Sequence, residues 1–263
     1  MRLQPLPAFN DNYIWLVFDD ASVGSTSANT SRALIVDPGD AAPVLERLRD
    51  APTPHGILLT HHHADHIGGV AKLLQRWPQL PVIAPRDARI PTATRRVADG
   101  DRVEIGPWQF DVIEIPGHTA SHIAFHGENL LFCGDTLFSL GCGRLFEGSP
   151  EQMLGSLRRL SALPADSQVC CGHEYTVANA AFARMVDPDN AALQARAAIA
   201  RLARAAGQPT LPVTLKSELA CNPFLRTRTA AVREALEHHV QRALRDDVDA
   251  FAELRRWKDG FSA

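Results

Sequence analysis

The sequence predicts an α/β (α+β) protein in two parts, a β-rich portion over 1–173 and an all-helical portion over 174–263. Three observations carry this. Up to residue 173, short runs rich in β-branched, aromatic and aliphatic residues alternate with turn residues, which is the pattern of strands. Beyond it such runs stop, and apolar residues fall at helical spacing. The formal charge changes sign at the same place, from −5 over 1–173 to +2 over 174–263.

Each element has a local reason. Strands are expected over 13–18, 33–36, 57–60, 82–84, 103–105, 110–115, 122–126, 130–133 and 168–171. Gly127-Glu128-Asn129 lies between two of them and reads as a hairpin turn. Helical periodicity interrupts the strands at about 41–50, 66–77 and 150–162. The last of these has Ser149 at the N-cap, Pro150 at the first helical position and Gln152 to close a capping box. After His173, helices are expected over 176–186, 190–206, 229–244 and 247–257, with Gly207 as the stop of the second. Arg196, Arg201 and Arg204 are expected to form a solvated face of that second helix. Residues 21–31, rich in Ser, Thr, Ala, Gly and Asn, read as a flexible hairpin loop.

Composition narrows the class. At 263 residues and 45% apolar, the chain can bury a core without disulfides. No apolar run approaches the ~20 residues of a membrane span. A net charge of −3 argues against a general nucleic-acid binder. The first 13 residues lack the basic start and apolar core of a signal peptide, so a cytoplasmic location is expected. Five cysteines, at 133, 142, 170, 171 and 221, suggest no disulfide framework and fit a reducing compartment as small core residues. The 11 histidines stand out, because four of them fall within six positions, at 61, 62, 63 and 66.

That cluster has a chemical reading. If the chain stays extended after the 57–60 strand, a period of two puts the imidazoles of His61 and His63 on one side and His62 on the other. Asp65 and His66, at the turn into a helix, add a carboxylate and a further imidazole. An open catalytic zinc site normally takes three protein ligands, so this set suits two adjacent ions, each completed from elsewhere. Candidates stand just past other strands, each after a glycine: His118, Asp135 and His173. Asp135 could bridge two cations with its carboxylate. His55, His62, His122, His126, His238 and His239 are expected to be ordinary structural histidines.

The chain resembles the metallo-β-lactamase superfamily and, within it, the glyoxalase II (hydroxyacylglutathione hydrolase) family. The residues that carry the resemblance are AFNDNYIW at 8–15, THHHADH at 60–66, PGHT at 116–119, GDTLF at 134–138, GCGRLFEG at 141–148, GHEYT at 172–176 and NPFLR at 222–226. The HxHxDH motif alone marks only the superfamily; GCGRLFEG, GHEYT and the helical C-terminal part are narrower signals.

The resemblance implies a metallo-β-lactamase αββα sandwich over 1–173 as the catalytic domain, and an all-helical substrate-binding domain over 174–263. It implies two divalent ions, zinc foremost with iron or manganese as alternatives. His61, His63 and His118 would hold one ion, Asp65, His66 and His173 the other, with Asp135 bridging. Asp65 and Asp135 carry the catalytic roles. Arg144, Tyr175, Arg255 and Lys258 would contact a glutathione moiety. Arg144 stands where the family often has Lys, and Phe146 where it often has Tyr. The implied reaction is hydrolysis of S-D-lactoylglutathione, or other S-2-hydroxyacylglutathiones, to D-lactate and glutathione, the second step of methylglyoxal detoxification. A monomer without nucleic-acid or membrane partners is expected. The competing readings are a glutathione-linked persulfide dioxygenase on the same fold, a metal-dependent nuclease, and a non-catalytic metal-binding protein.

Overall fold

The computed structural model describes residues 1–19 and 31–261, so the loop expected over 21–31 lies, Ser31 aside, outside the described residues. The chain forms two compact units. One comprises Met1–Glu114 with Ser121–Gly134, the other Ile115–Ala120 with Asp135–Ala263.

The first unit opens with a hairpin of β1 (Arg2–Ala8) and β2 (Asn12–Phe18), in which Ala8 lies opposite Asn12. Strand β1 is not among the strands expected from the sequence, and it carries two prolines, Pro5 and Pro7. The structure puts this strand at the edge of its sheet, where a missing N–H leaves no ladder bond unmade. β3 (Ala33–Val36) pairs antiparallel with β2 and parallel with β4 (Gly56–Leu58). Between them runs α1 (Ala41–Arg47), whose N-cap Asp40 accepts the N–H of Ala42 at 2.9 Å. The helix expected over 66–77 is two helices, α2 (Ala64–Ile67) and α3 (Val70–Arg76). They part at Gly68-Gly69 because the Gly69 N–H turns out of the helix to Pro38 O at 2.9 Å. β5 (Val82–Pro85) and the unanticipated β6 (Arg95–Val97) complete six strands in sequence order.

Strands β2 to β5 are buried on both faces, as a parallel-rich sheet requires. One face, with Ile14, Leu16, Ile35, Ile57 and Val82, packs with Val44 of α1 and Val70 and Leu73 of α3 in a single core. The same unit then forms an antiparallel meander of β7 (Arg102–Ile105), β8 (Trp108–Glu114), β9 (Ile123–Gly127) and β10 (Leu130–Gly134). Buried and outward residues alternate along β7 and β8, so one face of these two strands meets solvent. The β9–β10 turn is where it was expected. Glu128 and Asn129 both adopt left-handed conformations, at φ 53° and 61°, the geometry of a two-residue hairpin loop.

The second unit begins with a small hairpin, β11 (Leu137–Phe138) and β12 (Gly141–Cys142). Helix α4 (Pro150–Ser161) carries the expected capping box: Ser149 Oγ accepts from Gln152 N at 3.2 Å, and Ser149 N donates to Gln152 Oε1 at 2.9 Å. β13 (Gln168–Cys171) pairs antiparallel with β14 (Val213–Thr214). The helices are α5 (Thr176–Val186), α6 (Ala191–Ala205), α7 (Leu215–Cys221), α8 (Ala230–Val240) and α9 (Asp247–Asp259). Helix α7 escaped the sequence reading, being only seven residues long. Helix α8 stops short of residue 244 because Gln241 turns left-handed.

One expectation needs correction. Arg196 is not on a solvated face: it is buried, and its Nη2 donates to Ser139 Oγ at 3.0 Å and Thr210 O at 2.9 Å. Burying a guanidinium is tolerable only with such partners. Arg201 and Arg204 are exposed as expected. All five cysteines are buried and in the thiol form, and burial pushes the Cys142 thiol up to about 11, away from nucleophile chemistry. Among the described residues, no helix is long and apolar enough to cross a membrane.

Candidate metal centre

The first unit assembles its donors at the carboxyl ends of the parallel strands β3 and β4. Asp37 follows β3 and Thr60-His61 follows β4, the end at which α/β sheets carry ligands. Asp37 is buried in a left-handed conformation, φ 50°. Its Oδ1 accepts the N–H of Thr60 at 2.8 Å, and its Oδ2 accepts the Thr60 hydroxyl at 2.7 Å and His66 Nδ1 at 3.1 Å. The backbone is extended at His63 before α2 begins, so His61 and His63 share a side, as the period of two predicted. His62 turns instead to Asp87, at 3.4 Å.

Hydrogen-bond arithmetic then assigns the tautomers. A carboxylate only accepts, so His66 donates its Nδ1 proton to Asp37 and presents the Nε2 lone pair, which lies 3.6 Å from Asp65 Oδ2. Thr60 has given its hydroxyl proton to Asp37, so at 3.0 Å it must accept from His61 Nδ1. That leaves the His61 Nε2 lone pair facing His63 Nδ1 at 3.2 Å. Around a tetrahedral ion with bonds of 2.0–2.1 Å, neighbouring nitrogens stand about 3.4 Å apart. Asp37, His61 and His66 also offer ligand atoms within 4.8 Å of one another. Asp37 is the residue that sequence reading missed; VDPG after a strand gave no sign that its carboxylate would fix two histidines.

The second unit gathers the other three candidates. The main-chain carbonyl of Arg144 accepts from His118 Nδ1 at 2.8 Å, so the His118 Nε2 lone pair points at Asp135 Oδ2, 3.4 Å away. His173 Nε2 lies 3.2 Å from the same oxygen. Two of the preceding glycines serve as expected. Gly117 and Gly134 have φ of 152° and 47°, conformations that L side chains rarely adopt.

Electron-rich atoms that face one another repel unless a cation lies between them. His66 with Asp65 in the first unit, and His118 with Asp135 in the second, make such pairs. The donor set is neutral imidazole plus carboxylate, which suits a divalent metal ion. The second nitrogen of each of His61, His66 and His118 is tied to the protein, as metal-binding histidines require.

Around its own donors, His118, Asp135 and His173, the second unit builds walls and a basic cluster. Tyr175 stacks on His173, with ring centroids 4.7 Å apart and planes 5° apart, and Phe138 stands edge-on to both rings. Phe146, 63% exposed, sets its edge on His118. The β11–β12 hairpin bearing Phe138 is clamped from behind. Glu218 accepts from Ser139 Oγ and Leu140 N, both at 2.8 Å, and Asn222 donates to the carbonyls of Phe138 and Gly141, both at 3.0 Å. Arg144 and Arg255 both reach Asp259, at 3.7 and 2.9 Å. Lys258, half-buried over the rings of Phe182 and Phe261, is held below the ordinary lysine value by burial and by Arg255 and Arg144. Two of these three cations thus share one carboxylate. Arg255 is itself buried and donates to Cys142 O at 2.8 Å, so much of it is structural.

Comparisons with known proteins place the chain among relatives. The family model described as metallo-beta-lactamase superfamily matches residues 28–173, and that described as hydroxyacylglutathione hydrolase C-terminus matches 174–261. A relative from Xanthomonas campestris pv. campestris (strain B100), called hydroxyacylglutathione hydrolase, is 58% identical over 264 residues and covers 100% of each chain. One from Xylella fastidiosa (strain M23), of the same name, is 56% identical over 99% of this chain and 98% of its own. Among solved structures, ETHE1 from Myxococcus xanthus aligns with TM-score 0.63 at 24% identity, over 98% of both chains. The BLEG-1 B3 metallo-beta-lactamase aligns with TM-score 0.62 at 24% identity, over 85% of this chain and 99% of its own. At such identities these two speak for the fold alone, the mixed α/β fold of metallo-β-lactamases.

Proposed function

We infer the reaction from one premise: the chain belongs to the hydroxyacylglutathione hydrolase family, within the metallo-β-lactamase superfamily. It is a thioester hydrolase that converts S-D-lactoylglutathione and related S-2-hydroxyacylglutathiones, with water, to the 2-hydroxy acid and glutathione. The observation that carries this is the helical match over 174–261, joined to identity of 58% over the whole of a relative so named.

The seven residues His61, His63, Asp65, His66, His118, Asp135 and His173 are proposed as ligands for two divalent ions, zinc foremost. His61, His63 and His118 hold one, Asp65, His66 and His173 the other, and Asp135 serves both. When bound, such ions lower the pKa of coordinated water toward ~7 and polarise a carbonyl oxygen. The protein's own share is preorganisation. Asp37 and Thr60 orient His61 and His66 with Nε2 outward, the Arg144 carbonyl does the same for His118, and Tyr175 stacks on the ring of His173.

Glutathione carries two carboxylates, and Arg144, Lys258 and Arg255, with Tyr175, are proposed to hold it. On this reading 174–263 supplies substrate binding to a catalytic portion over 1–173. The leaving thiolate has a pKa near 8.5, so departure needs no strong general acid, and none of the buried acids is assigned that role. Phe146 contributes a ring without the hydroxyl that family members often bring. We also propose a cytoplasmic monomer.

The test is hydrolysis of S-D-lactoylglutathione by purified protein, followed through loss of thioester absorbance, with elemental analysis of the same sample. Stoichiometric release of glutathione and D-lactate is expected. Oxygen uptake with glutathione persulfide in place of thioester hydrolysis would overturn the reading.

A further inference from the structure

The turn joining β1 and β2 is strained. Phe9 adopts φ 50°, a left-handed conformation that a bulky aromatic residue rarely takes, and its side chain is 61% exposed. Such outliers persist only where the surroundings hold them. This turn brings Asn12 to the start of β2 with its side chain turned inward, 7% exposed. The Asn12 amide is committed to one residue. Nδ2 donates to Asp65 Oδ2 at 3.0 Å and to the Asp65 carbonyl at 3.3 Å.

A third segment completes the seat. A Cβ on Gly39 would collide with the carbonyl of Asp65 and stand 3.0 Å from the Phe9 ring, so three loops close on Asp65. The oxygen that Asn12 holds is also the one 3.6 Å from His66 Nε2. Asp65 is otherwise a rim residue, its side chain 42% exposed, with rotamers to lose on binding anything.

We propose that Asn12 is a positioning residue for Asp65, holding the carboxylate oxygen beside His66 in place for the metal ion those two residues share. The inference rests on the binuclear reading above. Only a neutral amide supplies two N–H groups from one nitrogen at this reach. Aspartate would set a second negative charge against Asp65, and serine carries a single proton on a shorter stem.

The test uses full-length protein stripped of metal and titrated with zinc against a chromophoric chelator, for wild type, Asn12→Ala and the isosteric Asn12→Asp. Wild type is expected to bind two ions. Both variants should bind one of the two about 10- to 100-fold more weakly, the usual cost of losing a residue that orients a ligand, with the other affinity retained. Asn12→Asp should be no better than Asn12→Ala, although it restores the packing. Cobalt substitution gives a second readout, because only one of the two sets of visible bands should change. A merely structural role would instead lower the melting temperature of the metal-free variants, spare both affinities and let Asn12→Asp rescue. That result, with two ions on the wild type, overturns the role of Asn12 alone. Fewer than two ions on the wild type overturns the binuclear reading and this inference with it.

Discussion

Asp37 Oδ2 accepts a hydrogen bond from His66 Nδ1 at 3.1 Å, across 29 residues of sequence, and so decides which nitrogen of that histidine faces outward to a ligand. The same carboxylate holds Thr60, which in turn accepts from His61. Asp37→Ala should therefore weaken metal binding about 10- to 100-fold, read by chelator competition. Unchanged affinity would mean that the tautomers are set elsewhere.

Asp135 Oδ2 lies 3.4 Å from His118 Nε2 and 3.2 Å from His173 Nε2. As the proposed shared ligand, it should make occupancy and turnover inseparable. Asp135→Ala is expected to purify with fewer than two equivalents of metal and to lose hydrolysis. Wild-type metal content with wild-type kcat would end the bridging assignment.

Lys258 tests substrate binding apart from chemistry. Lys258→Ala should raise KM with kcat little changed, because the group binds and does not react. The ammonium is held below the ordinary lysine value, so it loses its proton at a lower pH than an exposed lysine. KM for the anionic substrate should thus climb as pH rises through that lowered value, and the alanine variant should lack this climb. A large fall in kcat at constant KM would contradict the assignment.

Glu218 is wholly buried, and burial pushes its carboxyl above the usual range despite donors from Leu140, Ser139 and Asn222 and the nearby Arg196. A folded-state pKa above the unfolded one means that the native state binds the proton more tightly. Stability should therefore decline as pH rises from the ordinary carboxylate range through the raised value. Glu218→Gln, which cannot ionise, should lack that decline in urea titrations across pH. Glu218→Ala should cost about 3 kcal/mol, since it leaves the buried donors Ser139 Oγ, Leu140 N and Asn222 Nδ2 without this acceptor. A smaller loss would show that the hairpin is held by Asn222 alone.

Holo protein should melt higher than protein treated with chelator, and the difference should grow with free zinc, because a ligand bound only by the native state stabilises it by mass action. Calorimetry at several zinc concentrations checks this. A melting temperature indifferent to zinc would speak against a bound ion in the native state.

By itself the sequence determined whatever depends on neighbours along the chain. The β9–β10 turn, the capping box of α4, the sharing of one side by His61 and His63, and the division into β-rich and helical stretches follow from local spacing. Position after a strand and a glycine marked His118, Asp135 and His173 as candidates, and resemblance gave them roles. Tertiary structure decided the rest. The prolines of β1 are harmless only because that strand lies at a sheet edge. Arg196 is buried only because Ser139 and Thr210 wait for it. Asp37, Asn12 and Glu218 act on partners 29, 53 and 79 residues away. Their polar side chains look alike in sequence to any solvated Asp, Asn or Glu, and only the packing of distant segments gives a hydrogen bond its second atom.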